Sequence, residues 1–173
     1  MQETLLKARA TLVFPVTDTH VLLGIKQRKA GQGKWNGYGG EIDKGEDPRT
    51  SAMRELKEEL EIIVEEKDLR YATVIDAHNR LDNGRVFHCR VHTFVTERWI
   101  GDPQETAEMR SPTWFPKKEL PLDEMMLGDR TWLPLVFSSK LPFHTEIWFG
   151  PGQRTLERPV RITPSTEEYL SRL

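Results

Sequence analysis

The sequence predicts an α+β or α/β sandwich, on three observations. Several apolar runs of strand length are rich in Val, Leu and Ile, one strongly signalled helix stands between them with a second further on, and 173 residues with 37% hydrophobic and 30% charged residues suit one soluble domain over 1–173. At this length a fold can bury roughly 70% of the surface that its unfolded chain exposes, so the core needs no disulfide or structural metal.

Ala10 to Val16 and Val21 to Gln27, separated by Thr17-Asp18-Thr19-His20, read as two strands of a hairpin. From Ala30 to Asp47 the chain carries six glycines and little apolar periodicity, which reads as a long loop of the kind that carries function. Asp47-Pro48 then opens a helix running to about Leu60, because Asp is a favoured N-cap and the missing N–H of Pro costs nothing in the first turn. Strands are expected at Tyr71 to His78, Arg85 to Thr96 and Thr113 to Phe115, with Asp82-Asn83-Gly84 turning between the first two. A second helix is expected from Asp129 through Ser138, a strand from His144 to Phe149, and a last helical turn or two where Ser165 and Glu168 have capping-box spacing.

Composition excludes several classes of function. Cys89 is the single cysteine, so there is no disulfide framework. The formal charge of -2 supplies no global positive field for nucleic acid or an anionic membrane, and no apolar run approaches the roughly 20 residues of a bilayer span. Met1 to Arg9 is too polar for a signal peptide, which leaves the cytoplasm as the expected location. The five histidines lack metal-ligand spacing, and Cys89 reads as a small buried hydrophobe.

The helix itself carries chemistry. At about 100° per residue Glu55, Glu58 and Glu59 share one arc, beside an apolar arc of Ala52, Met53, Leu56 and Leu60. Carboxylates at this spacing repel one another, which either solvent with Arg54 and Lys57 nearby or a hard divalent cation can offset. The preceding loop favours the cation. Gly40, Glu46, Arg54, Glu55, Leu56, Glu58, Glu59 and Ile62 fall in the register of G-x5-E-x7-R-E-U-x-E-E-x-G-U with U aliphatic, so residues 40–62 resemble the Nudix box. The single departure is Glu61, where the family has glycine just past the helix.

That resemblance implies the Nudix fold, an α/β/α arrangement with a mixed sheet between helices, and hydrolysis of a nucleoside diphosphate linked to a further group. It implies that Glu55, Glu58 and Glu59, with the carbonyl of Gly40, hold Mg²⁺ (Mn²⁺ being a possible substitute), that Arg54 orients a glutamate, that Glu46 braces the loop, and that Glu59 or Glu108 helps to deprotonate the attacking water. The likeness extends over roughly residues 8 to 156, through V-L-L-G-I-K-Q-R from Val21, G-K-W-N-G-Y-G-G from Gly33, G-D-P-Q-E-T-A-E-M-R from Gly101, Trp114-Phe115 and D-R-T-W-L-P-L-V-F from Asp129. These segments are similar to the oxidised-purine nucleoside triphosphatases of the family, the MutT homologues that act on 8-oxo-dGTP.

By that likeness Asn36 would hydrogen-bond the base, Asp129 would face its Watson–Crick edge, and Thr11, Leu12 and Lys26 would line the pocket, with Trp132 helping to wall it. On the residues alone, Asp129 reads first as a helix cap and Asn36 as a turn residue, while Trp35 and Tyr38 read as loop packing. Met126 stands where the family has a stacking tryptophan, and Gly128-Asp129 where it has two aspartates, so Asp129 is expected to be an ordinary ionised carboxylate that accepts only. The expected partner is a small nucleotide, with neither nucleic acid nor membrane, and the chain is expected to be a monomer. The rival expectations are another Nudix substrate, such as ADP-ribose, a dinucleoside polyphosphate or an unmodified triphosphate, and a non-catalytic nucleotide sensor.

Overall fold

A computed structural model describes residues 6–138 and 142–173. Eight strands and three helices follow one another as β1 (Leu6–Pro15), β2 (His20–Lys26), β3 (Trp35–Asn36), α1 (Pro48–Leu60), β4 (Arg70–Arg80), β5 (Val86–Thr96), β6 (Met109–Pro116), α2 (Asp129–Phe137), β7 (Phe143–Phe149), β8 (Arg161–Pro164) and α3 (Glu167–Ser171). A five-stranded mixed sheet has the order β1-β5-β4-β7-β8, and a three-stranded sheet the order β3-β2-β6.

Both faces of the larger sheet are covered, which makes the layers helix, sheet, helix. On one face Ala52, Leu56 and Leu60 of α1 pack with Val13, Tyr71, Val74 and Phe94, and on the other Trp132, Leu133 and Val136 of α2 pack with Phe14, Ile75 and Ile147. The α+β sandwich expected from the sequence is therefore present.

The expected hairpin is not. β1 and β2 lie in different sheets and share only a Val16–Val21 bridge, while β1 runs parallel to β5 from Leu6–His88 to Pro15–Thr96. Val13 and Phe14 are fully buried on opposite faces, and a strand apolar on both faces belongs inside a layered sheet rather than in a local hairpin. The glycine-rich segment also holds more structure than a loop, since Trp35 and Asn36 pair with Ile25 and Gly24.

Helix α1 starts as its sequence dictates, with the Asp47 carboxylate accepting from the Arg49 and Thr50 amides at 3.0 and 3.1 Å. It stops at Glu61, which has φ 59° and sends its N–H to the Lys57 carbonyl. A side chain in this left-handed conformation costs about 1 kcal/mol or more, so Glu61→Gly is expected to raise unfolding stability by about that amount, read as a higher urea midpoint at unchanged slope. An unmoved midpoint would mean that the cap carries no strain. At the other end of the chain, Thr166 rather than Ser165 caps α3, its hydroxyl accepting from the Tyr169 amide at 3.2 Å. Thr166 itself is extended, which places Ser165 one residue outside the cap.

Candidate active site

Residues 38–46 lie along β1 and end against α1. Val13 and Tyr38 exchange N–H···O bonds of 2.6 and 2.9 Å, and the Thr11 amide donates to the Gly40 carbonyl at 2.8 Å. Such close approach requires the two glycines: a Cβ on Gly39 would fall 2.1 Å from the Thr11 carbonyl oxygen, and one on Gly40 would fall 2.6 Å from Glu55 Oε1. The backbone is thereby brought against the acidic stripe, where the Gly39 amide donates to Glu59 Oε2 at 2.7 Å.

Arg54 organises the carboxylates around it. Its guanidinium donates to both oxygens of Glu46 at 3.0 Å, to Glu55 Oε1 at 2.8 Å, to Glu58 Oε2 at 3.2 Å and to the Glu41 carbonyl at 3.2 Å. The fork geometry of the guanidinium suits this shared role. Glu46 thus reaches the helix through Arg54, and that ion pair lowers its pKa.

The three box glutamates differ in their surroundings. Glu55 and Glu59 are buried, whereas the Glu58 side chain is 56% exposed. Burial raises the pKa of Glu55, with the Arg54 hydrogen bond opposing it, and pushes Glu59 up to about 7, with the Gly39 hydrogen bond opposing and the Glu55 and Glu108 charges adding to the rise. Buried carboxylates that repel one another, all with oxygen donors, suit a hard divalent cation. Among the described residues no three Asp, Glu, His or Cys side chains form a ready-made metal cage, and Glu55 and Glu58 both turn to Arg54.

Glu108 comes to the same place from the loop before β6. The Thr106 hydroxyl donates to the Glu59 carbonyl at 2.9 Å and the Gln104 amide to the Leu60 carbonyl at 3.0 Å, so the end of α1 anchors that loop. The Glu108 carboxylate is engaged by Arg28, and its carbonyl accepts from the Gln27 amide at 3.0 Å.

The expected base-pocket residues meet at Gly31. The position that a Cβ would take there lies 3.5 Å from Met126 Sδ, 3.9 Å from Asn36 Nδ2 and 3.9 Å from Lys26 Cδ, so these three side chains converge. Asn36 Oδ1 accepts from the Gly37 amide at 2.9 Å, which turns attention to its amide hydrogens as donors. Asp129 adjoins them through Met126, whose amide donates to its Oδ2 at 3.2 Å, while the Trp132 indole donates to its Oδ1 at 3.1 Å.

Several expectations need revision. Thr11 does not share Leu12's face: β1 alternates, so Leu12 packs toward the α2 side while the Thr11 hydroxyl lies 3.5 Å from Ser51 on α1. Trp132 is 1% exposed and reaches the pocket only through Asp129 instead of walling it. Asp129 is the first residue of α2 and caps no amide of that helix, and burial pushes its pKa up to about 7, so it is not the ordinary ionised carboxylate expected. Trp35 and Tyr38 are packing residues as expected, the first against Phe115 at 4.8 Å between ring centroids and the second fully buried.

Two cations escaped the sequence reading. Lys34 acts electrostatically on Asp129, and Arg28 on the glutamates. Both sit in the segments around Gly33 and Val21, where nothing in the spacing gives a lysine or arginine a partner.

Comparison with known proteins places this geometry. The NUDIX domain model matches residues 6–136. The chain is 36% identical over 136 residues to the oxidized purine nucleoside triphosphate hydrolase of Danio rerio, covering 75% of this chain and 80% of that protein. It is 34% identical over 130 residues to the protein of the same description from Mus musculus, with the same shares covered. Among solved structures it is similar to a MutT protein from Bacillus halodurans, with TM-score 0.76 and 24% identity over 92% of this chain and 100% of that one, a likeness of fold. A MutT NUDIX hydrolase from Burkholderia pseudomallei matches with TM-score 0.57 and 25% identity over 66% of this chain and 86% of that one.

Proposed function

The chain belongs to the NUDIX family, and we propose that it is a single-domain, Mg²⁺-dependent pyrophosphohydrolase of oxidised purine nucleoside triphosphates, 8-oxo-dGTP or its ribonucleotide first, giving the nucleoside monophosphate and pyrophosphate. The observation that carries this reading is that a buried pair of glutamates held by Gly39 and Arg54 feels the charge of Lys26, a member of the cluster that Asn36 and Met126 form at Gly31 and that Asp129 adjoins. The relatives named for oxidised purines add the substrate class.

Hydrolases of this family use divalent metal ions, and Glu55, Glu58 and Glu59 with the Gly40 carbonyl would hold them here. A bound Mg²⁺ supplies neutralisation of the phosphates and polarisation of the phosphorus under attack. The protein's own part is orientation and proton transfer. Arg54 fixes Glu55 and Glu58, and the Gly39 N–H fixes Glu59, which also makes Glu59 the better placed group to take a proton from the attacking water. Glu108 is less suited, because its side chain is 40% exposed where Glu59 is buried.

In the pocket, an Asn36 amide hydrogen would meet the base carbonyl O6 and Asp129 the N1 and N2 edge. Asn36→Ala is therefore expected to raise KM for 8-oxo-dGTP more than it lowers kcat, since a base contact acts alike in the ground and transition states. Unchanged KM with lowered kcat would place Asn36 in the chemistry instead.

The deciding experiment is a panel of normal and oxidised triphosphates, ADP-ribose and diadenosine polyphosphates, compared by kcat/KM with and without Mg²⁺. Highest kcat/KM on an oxidised purine triphosphate, lost when Mg²⁺ is removed, supports the proposal. Preference for another member of the panel replaces the substrate, and no hydrolysis of any member leaves a nucleotide-binding module. The partner is a small nucleotide acting on a monomer in the cytoplasm under this proposal; among the described residues no helix is long and apolar enough to cross a membrane.

A further inference from the structure

Arg28 lies between the two halves of the site. It follows β2 directly, two residues after Lys26, which belongs to the group around Gly31. The Gln27 amide ties this point of the chain to the Glu108 carbonyl at 3.0 Å, and the Arg28 guanidinium donates to Glu108 Oε1. Glu55 and Glu59 also act on the Arg28 charge. Arg28 thus meets one carboxylate directly and stands within electrostatic reach of the two buried glutamates of α1.

We propose that Arg28 binds the pyrophosphate half of the substrate, and that Glu108 holds it in readiness through an ion pair which the incoming phosphates displace. This rests on the proposed function above. The Arg28 and Glu108 side chains are 59% and 40% exposed, and ion pairs at such exposure contribute about 0–1 kcal/mol, so little opposes the exchange. A phosphate offers the guanidinium two oxygens for a bidentate hydrogen bond, as a carboxylate does, with more charge. No covalent bond changes: Arg28 moves its hydrogen bonds from a carboxylate to phosphate oxygens and leaves Glu108 free.

Titration calorimetry with inorganic pyrophosphate, and with 8-oxo-deoxyguanosine as a ligand lacking phosphate, tests this on the wild type, Arg28→Ala, Arg28→Lys, Glu108→Gln and the Arg28→Ala/Glu108→Gln double variant, with melting curves to check folding. Arg28→Ala is expected to weaken pyrophosphate binding in Mg²⁺ by about tenfold or more and leave the nucleoside within about twofold, and Arg28→Lys to recover part of the loss. Glu108→Gln should tighten pyrophosphate binding without Mg²⁺, and the double variant should lose that gain. Pyrophosphate affinity unchanged in Arg28→Ala, equal losses for both ligands, or a Glu108→Gln gain that persists in the double variant each overturns the inference. These titrations need no turnover, so they fail separately from the substrate panel.

Discussion

Glu59→Gln is expected to lower kcat by about a hundredfold or more while the protein stays folded, the scale of losing a positioned acid–base group. The substitution keeps the size of the side chain and leaves a carbonyl oxygen to accept the Gly39 amide bond of 2.7 Å. It removes one buried charge from a place where burial and the Glu55 and Glu108 carboxylates oppose charge already. Stability should therefore hold or rise, so a melting temperature no lower than wild type with turnover lost would show that the effect is chemical. Turnover within a few-fold of wild type would remove Glu59 from both of its proposed roles, metal ligand and base. Glu58→Gln provides the contrast: Glu58 is proposed as a metal ligand without the proton-transfer role of Glu59, and its side chain is 56% exposed, so a smaller loss of kcat is expected there.

The sequence made local structure legible, and the chemistry that depends on local spacing with it. The Asp47-Pro48 start, the apolar arc of α1 that packs on the sheet and the Glu46 brace all concern residues within one loop and helix, and each is present. Glu61 was legible for the same reason, because the chain must leave the helix there whatever surrounds it. What was not legible depends on contacts distant in sequence. The parallel pairing of β1 with β5 spans some eighty residues, and a local pattern favours the nearer strand. The direction of the Thr11 side chain follows from which face α1 takes. The pKa of Asp129 follows from burial among groups that no spacing reveals. Arg28 and Lys34 read as solvated charges because their partners, Glu108 and Asp129, arrive from the second half of the chain.

Asp129→Asn is expected to lower kcat/KM for 8-oxo-dGTP by about tenfold or more at pH 8 and to change it much less for an adenine nucleotide oxidised at C8. Burial pushes the Asp129 carboxyl up to about 7, with its bonds from the Met126 amide and the Trp132 indole opposing the rise. As pH rises through that value the group passes from one that can donate to one that only accepts. A guanine-type edge donates from N1 and N2, whereas the N1 of adenine accepts, so the wild-type ratio of kcat/KM, oxidised guanine over oxidised adenine, should rise through about pH 7. Taking the ratio cancels the ionisation of the phosphates and of the glutamates, which both substrates share. The variant has no proton to lose, and its ratio should be flat. Stability gives a second reading. Both Asp129 oxygens receive N–H groups, at 3.2 and 3.1 Å, so the amide nitrogen of the variant must oppose one of them, a loss of about 1–3 kcal/mol. In the wild type a carboxyl raised from 3.8 in the unfolded chain to about 7 opposes folding increasingly between those two values and by a constant amount above them, so the stability of the wild type relative to the variant should fall from pH 4 to pH 7 and then stay level. Equal kcat/KM losses on both substrates would mean that the pocket is deformed through Met126 and Trp132, and a flat wild-type ratio would remove Asp129 from the base.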